Sequence, residues 1–167
     1  MRVVKVLGLL VVMAMASLLG VGVGVASAAP SAPVALPAAE PPPPPPLPAT
    51  VPDTPCLATA RACVELGSDQ AWLISDGEVE YGPVPITHGR PGYLTPPGTF
   101  QVTFKSRDHV STIYNSPMPY AVFFNEGIAF HHGSLESKSH GCIRLPRSAA
   151  RTFFHSLDRG DVVQVVA

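Results

Sequence analysis

Three histidines precede one cysteine within a short stretch of the chain: His131, His132 and His140 lie upstream of Cys142 in the segment Gly127–Pro146. A thiol with an ordinary pKa of about 8.5 is mostly protonated at neutral pH, and a histidine within hydrogen-bond reach is the usual means of making the thiolate. Either His131 or His132 stands where a hairpin strand ends, and Gly133–Lys138 is long enough to fold back and carry Cys142 against it. On a strand two adjacent rings point to opposite faces, so one reaches the thiol and the other does not. Gly141 lets backbone approach a substrate closely, and neighbouring N–H groups can cradle an oxyanion. Arg144 adds a fixed positive charge, able either to hold a carboxylate bidentately or to join a structural ion pair. Nucleophile, base, oxyanion donors and cation together are the equipment of acyl transfer.

The same residue types are good zinc ligands, but neither CxxC nor HExxH spacing occurs here, so no metal and no cofactor is expected. The plainest alternative is a buried, inert cysteine with surface histidines. Clustering of three histidines around it in a glycine-containing loop speaks against that. Cysteine arithmetic points the same way. Of the three cysteines, Cys56 and Cys63 have six residues between them and can pair, which leaves Cys142 as a free thiol.

The first residues give the compartment. A basic start (Arg2, Lys5), an apolar run from Val6 to Val25 and Ala26-Ser27-Ala28-Ala29 follow the three-part layout of a secretory signal cleaved before Ala29. An export route places the cysteines where disulfides persist and an idle thiol is a liability. The expected location is the periplasm or cell wall, with a membrane tether if the apolar run is retained as an anchor. Residues 29–55 are a different polymer. Of the 20 prolines, 12 lie between Pro30 and Pro55, six of them consecutive at Pro41–Pro46, so this stretch favours extended polyproline II and acts as a spacer.

The chain of 167 residues therefore divides into a signal (1–28), a Pro/Ala-rich linker (29–55) and a single domain (56–167). Setting aside Arg2, Lys5, Glu40 and Asp53 leaves 9 of 11 basic and 10 of 12 acidic residues in the domain, a net charge of −1. With no basic cluster, nucleic acid is excluded as a partner, because phosphates demand a basic face. A body of this size supports one core.

The elements that must carry the site are short and β-prone. Ala62–Leu66, Ala71–Ser75 and Val79–Ile86 read as strands, with Asp76-Gly77 as a hairpin turn between the second and third. Thr99–Phe104 alternates as a further strand. Ala121–Phe124 and Ile128–His131 flank the Asn125-Glu126-Gly127 turn, and Val162–Val166 closes the domain. One helix is expected after Pro146, where Ala150, Phe153, Phe154 and Leu157 fall at helical spacing. With no βαβ alternation, the fold class is mainly β, a sandwich or barrel with one or two short helices. Trp72 reads as core, and His88, His109 and His155, with no cluster around them, as solvated or capping.

Ser139-His140-Gly141-Cys142-Ile143-Arg144-Leu145 resembles the signature of the L,D-transpeptidase (YkuD-like) catalytic domain. Gln70-Ala71-Trp72-Leu73, Asp76-Gly77, Thr95-Pro96-Pro97-Gly98-Thr99-Phe100 and Met118-Pro119-Tyr120 resemble that family's order of segments, so the likeness covers residues 62–167. It implies a β-sandwich acting on peptidoglycan stem peptides. The cysteine attacks the carbonyl between the L-centre of diaminopimelate and the terminal D-Ala of a donor tetrapeptide, and an acceptor amine of a neighbouring stem resolves the thioester into a 3-3 cross-link. The resemblance implies Cys142 as nucleophile and the strand-end histidine as base. His140 and Arg144 order the site, and Ser139, Gly141 and the Cys142 N–H belong to the oxyanion and substrate-binding group. Met118, Pro119 and Tyr120 line the stem groove, although an aromatic before Ala121–Phe124 also reads as core. Carbapenems are the expected covalent inhibitors. The H-x-G-x-L alignment favours His131 as the base and leaves His132 at the variable position, while an H-G reading would instead choose His132. The chain departs from the family in that histidine pair, in a shorter His131–Cys142 segment and in Arg144, where members carry Asn. Two other readings remain: an L,D-carboxypeptidase that resolves the same thioester with water, and a non-catalytic wall-binding module.

Overall fold

The computed structural model describes residues 49–167; the expected signal and most of the expected spacer lie outside them. The elements run β1 (Ala62–Glu65), β2 (Gln70–Ser75), β3 (Glu78–Pro85), β4 (Gly98–Gln101), β5 (Phe104–Val110), β6 (Pro117–Asn125), β7 (Ile128–His132), β8 (Ile143–Leu145), α1 (Arg147–Ser156) and β9 (Val162–Val166). They form two sheets, one in the order β3-β2-β1-β9-β4 and one in the order β5-β6-β7-β8. The fold is mainly β, and both sheets mix parallel and antiparallel neighbours: β1 runs parallel to β9, and β7 parallel to β8.

Period-two alternation gives each sheet two apolar faces. From the first sheet Ala62, Val64, Leu73, Val163 and Val165 point into a common core, and from the second Val122, Phe124, Phe130, Ile143 and Leu145 meet them. Helix α1 adds Ala149, Ala150 and Phe153 to this core. Pro146 takes the N-cap position, where the missing N–H is no loss. The alternate residues of each sheet build separate outer clusters. Cys56, Cys63, Trp72 and Ile74 lie with Val51 and Ala60 on one; Met118, Ala121, Phe123 and Ala129, with Cys142 against them, lie on the other.

The structure adds to or departs from the sequence reading at four places. The alternating run Thr99–Phe104 is two strands in different sheets. Val102 still donates to the Asp161 carbonyl beside β9, whereas Thr103 donates to Phe123 in β6, so the chain crosses between sheets at that point. Strand β5 beyond Phe104 went unread because Lys105, Arg107 and Asp108 interrupt any apolar alternation along a strand that is mostly exposed. Strand β8 is three residues long and pairs with β7 only through tertiary contact. The end of the linker is folded: Thr50 pairs with Leu57, the Val51 N–H donates to Cys56, and Val51 is buried among the outer cluster of the first sheet. Cys56 and Cys63 are joined as a disulfide, and Cys142 is free.

Candidate active site

The outer face of the second sheet opens into a cavity of about 370 Å³ lined by Ser111, Ile113, Tyr114, Ser116, Met118, Gly127, His131, Ser139, His140, Cys142 and Arg144. Strand alternation decides which histidine faces it. Ala129 packs with Cys142 in the outer cluster, whereas Phe130 is in the common core. His131, two residues after Ala129, therefore shares the thiol's face, and His132 falls on the other. The neighbouring strand repeats the logic: Ile143 and Leu145 are fully buried, and Arg144 between them turns to the cavity.

His131 is 7% exposed, and its Nδ1 lies 2.8 Å from the His132 carbonyl. A carbonyl only accepts, so Nδ1 carries the proton and Nε2 keeps a lone pair. Burial pushes the His131 pKa down to about 4, opposed by the bond to the His132 carbonyl and reinforced by the Arg144 charge. His132 instead sets Nδ1 3.3 Å from the Leu145 carbonyl, tying β7 to β8. The Cys142 thiol donates to the Gly127 carbonyl at 3.6 Å. Burial raises its pKa, with the Ala129 N–H and the Arg144 charge partly offsetting that. The pair thus rests as neutral thiol and neutral imidazole at neutral pH, in place of the thiolate–imidazolium pair that a histidine beside a cysteine leads one to expect.

The turn before Cys142 is tied on both sides. Ser139 donates its N–H to the His88 carbonyl at 2.8 Å and accepts the Arg90 N–H at 3.0 Å. Its hydroxyl donates to the Cys142 carbonyl and accepts the Gly141 N–H at 3.0 Å. The Ser139 hydroxyl and the Gly141 N–H are thereby engaged within the turn, while Ser139 also lines the cavity. Gly141 itself sits at φ +111°, a conformation that side chains rarely adopt. The Cys142 N–H has no acceptor among the described residues.

Arg144 makes no ion pair with any described residue; its guanidinium donates to the Ser137 carbonyl at 3.0 Å while its stem lies directly over Gly133. The loop from Gly133 to Ser137 is thus held by arginine. His140 lies at the cavity edge, stacked on Tyr114 with centroids 4.4 Å apart, edge-on to Tyr93 at 4.9 Å, and accepting from Arg90 at 2.8 Å. Met118 lines the cavity and Tyr120 does not. Tyr120 adopts φ +60°, which breaks the alternation of β6, so its ring packs edge-on against Phe154 while Met118 joins Ala121 and Phe123.

Sequence reasoning missed Ile113 and Tyr114, on the β5–β6 connection, because a loop's distance from a motif cannot be read from spacing. It also underread two histidines. His88 accepts from Lys138 at 2.6 Å and lies 3.3 Å from Asp69, and burial lowers its pKa. His109 packs on Phe123 at 4.9 Å. Trp72 is core, as expected. Among the described residues no three of His, Cys, Asp and Glu converge as metal ligands.

The L,D-transpeptidase catalytic domain family, YkuD, matches residues 59–165. A probable L,D-transpeptidase 3 of Mycobacterium tuberculosis is 33% identical over 52% of this chain and 39% of its own length. An L,D-transpeptidase from Stackebrandtia nassauensis superposes with a TM-score of 0.61 at 32% identity, covering 64% of this chain and 54% of that one. An LD-transpeptidase in complex with imipenem superposes at 0.58 with 26% identity, covering 63% and 57%. The matched region thus spans between about two-fifths and three-fifths of each of these relatives.

Proposed function

The chain belongs to the YkuD family of L,D-transpeptidase catalytic domains, and on that premise we propose that it is an exported enzyme using Cys142 to form a thioester with a peptidoglycan tetrapeptide stem. The observation that carries this reading is the pairing on one cavity wall of a free thiol with a buried imidazole whose Nδ1 is occupied and whose Nε2 keeps its lone pair. A binding module needs neither group.

In the first half-reaction His131 Nε2 takes the thiol proton as Cys142 Sγ bonds to the carbonyl carbon and the carbonyl π pair moves onto oxygen. The Cys142 N–H is the backbone donor for that oxyanion. Collapse of the tetrahedral adduct breaks the C–N bond, and D-Ala leaves with the proton returned by the imidazolium. An acceptor amine then attacks the thioester, gives its proton to His131 and forms the 3-3 peptide bond, and the thiol is restored. An imidazole of pKa about 4 is unprotonated at working pH and so free to accept, and the proton moves as the Sγ–C bond forms. The signal and the proline-rich spacer of residues 1–55 would release or hold the domain at the cell wall.

Intact-mass measurement after incubation with a carbapenem tests the proposal. One adduct is expected on the wild-type protein and none on Cys142→Ala, with the fold retained. Turnover of a disaccharide-tetrapeptide should yield D-Ala and a cross-linked dimer. Tripeptide alone would identify a carboxypeptidase, and an adduct on Cys142→Ala would end the covalent assignment.

A further inference from the structure

Thr95 is 46 residues from Gly141 in sequence, yet its buried hydroxyl donates to the Gly141 carbonyl at 2.7 Å. The same oxygen accepts the Gly89 N–H at 2.9 Å. We infer that Thr95 is a positioning residue for the oxyanion donor of this site, acting through the Gly141–Cys142 peptide. This rests on the transpeptidase reading above and adds to it a residue outside the cavity lining.

The physical argument runs through peptide planarity. In a trans peptide the carbonyl and the following N–H point in opposite directions from a rigid plane. Anchoring the Gly141 carbonyl on Thr95 therefore fixes the Cys142 N–H on the far side of that plane. The other polar groups nearby are already committed: the Gly141 N–H and the Cys142 carbonyl both bond the Ser139 hydroxyl. Gly141 at φ +111° has no steric preference of its own to hold the plane, since glycine moves freely through that region. What holds the plane from the carbonyl side is the threonine hydroxyl.

The hydroxyl is itself preset by the loop Gly89–Thr95. The Tyr93 N–H closes on the Arg90 carbonyl at 2.9 Å, and the Gly89 N–H supplies the donor that orients the Thr95 oxygen. A Cβ on Gly89 would stand 2.0 Å from the Tyr93 carbonyl oxygen, so the loop closes this tightly only with glycine there. With its lone pair engaged by Gly89, the Thr95 proton is directed at Gly141. Valine in place of Thr95 keeps the volume, removes both bonds and leaves the peptide free to rotate.

Two reactions of the same thiol separate this role from a general structural one. Carbapenem acylation passes through an oxyanion. Iodoacetamide alkylation displaces iodide at a saturated carbon and makes none. In Thr95→Val, acylation should slow by roughly tenfold to a hundredfold, less than the roughly hundredfold to thousandfold cost of removing an oxyanion donor outright because the N–H is loosened and not lost, while alkylation changes by less than about twofold, a difference too small to mark any loss of transition-state stabilisation. Thr95→Ser should restore acylation, and the Cys142 amide resonance should shift in Thr95→Val and return in Thr95→Ser. If valine prevents folding, Thr95→Ala replaces it. Wild-type acylation in the hydroxyl-less variant, equal slowing of both reactions, or an unmoved Cys142 amide would each overturn the inference. Failure of the wild-type protein to form any carbapenem adduct while alkylating normally would instead remove the transpeptidase reading, and the Cys142 amide comparison would still decide the role of Thr95.

Discussion

The two sheets use their outer faces in opposite ways. On the first sheet, the folded end of the linker covers the face, Val51 and Ala60 pack over Trp72 and Ile74, and both sulfurs are fully buried in a disulfide. On the second sheet, the corresponding face carries a smaller cluster around Met118, Phe123 and Ala129 and is left open, with the third sulfur at the wall of a cavity. The common core is shared by both. The difference teaches that one sulfur environment is sealed and the other is only partly closed. Enough apolar surface surrounds Cys142 and His131 to favour the neutral form of both, while the face beside them stays open as a cavity.

The sharpest way to break that comparison is to change the histidine on the open face. His131→Ala should slow acylation of Cys142 by several decades, because the thiol keeps its raised pKa and loses its base. His132→Ala, whose ring bonds Leu145, should cost less than about tenfold, equivalent to about 1.4 kcal/mol of barrier. Stopped-flow acylation across pH reads both. The wild-type rate should hold from neutral pH down to about 4 and fall below it, as His131 takes up a proton. A midpoint at the ordinary value of 6.5 would mean that the imidazole is not desolvated.

A stability measurement sharpens the same point. The unfolded chain protonates this histidine near 6.5, whereas the folded protein resists until about 4. Its contribution is therefore intact above 6.5 and is lost as pH falls towards about 4, where the loss levels off at about 3 kcal/mol. Urea unfolding of wild type and His131→Asn between those pH values should show the slope in the first and much less of it in the second. Equal slopes would place the titration elsewhere, with His88, also lowered by burial, the next group to test.

The smallest effect belongs to the closed face. Replacing Cys56 and Cys63 by alanine opens a short loop, so stability should drop by about 2–3 kcal/mol. The acylation rate of the folded fraction should stay unchanged, because the outer clusters lie on different sheets. A parallel loss of acylation would show that the two faces are coupled through the core.

Much of this was legible in the residues. Odd cysteine number singled out Cys142, alternation marked most strands, and Pro146 with the apolar spacing after it marked α1. Those signals are local, set by backbone sterics and by side chains a few positions apart. The exposed β5, with its charges, and the three-residue β8 carry no such pattern.

What the tertiary structure alone decided concerns burial and the partners of polar groups. His131 rather than His132 shares the face of Cys142 because Ala129 packs there. Tyr120 leaves the groove because φ +60° turns it towards Phe154. The Gly141 N–H and the Ser139 hydroxyl satisfy each other, and the Gly141 carbonyl finds Thr95 far away in sequence. Residue types determine which atoms can donate, accept or lose a proton, and the amino-acid sequence states those outright. Which donor meets which acceptor, and how much water each keeps, depends on chain segments brought together from opposite sides of a core, and only the packed fold sets that.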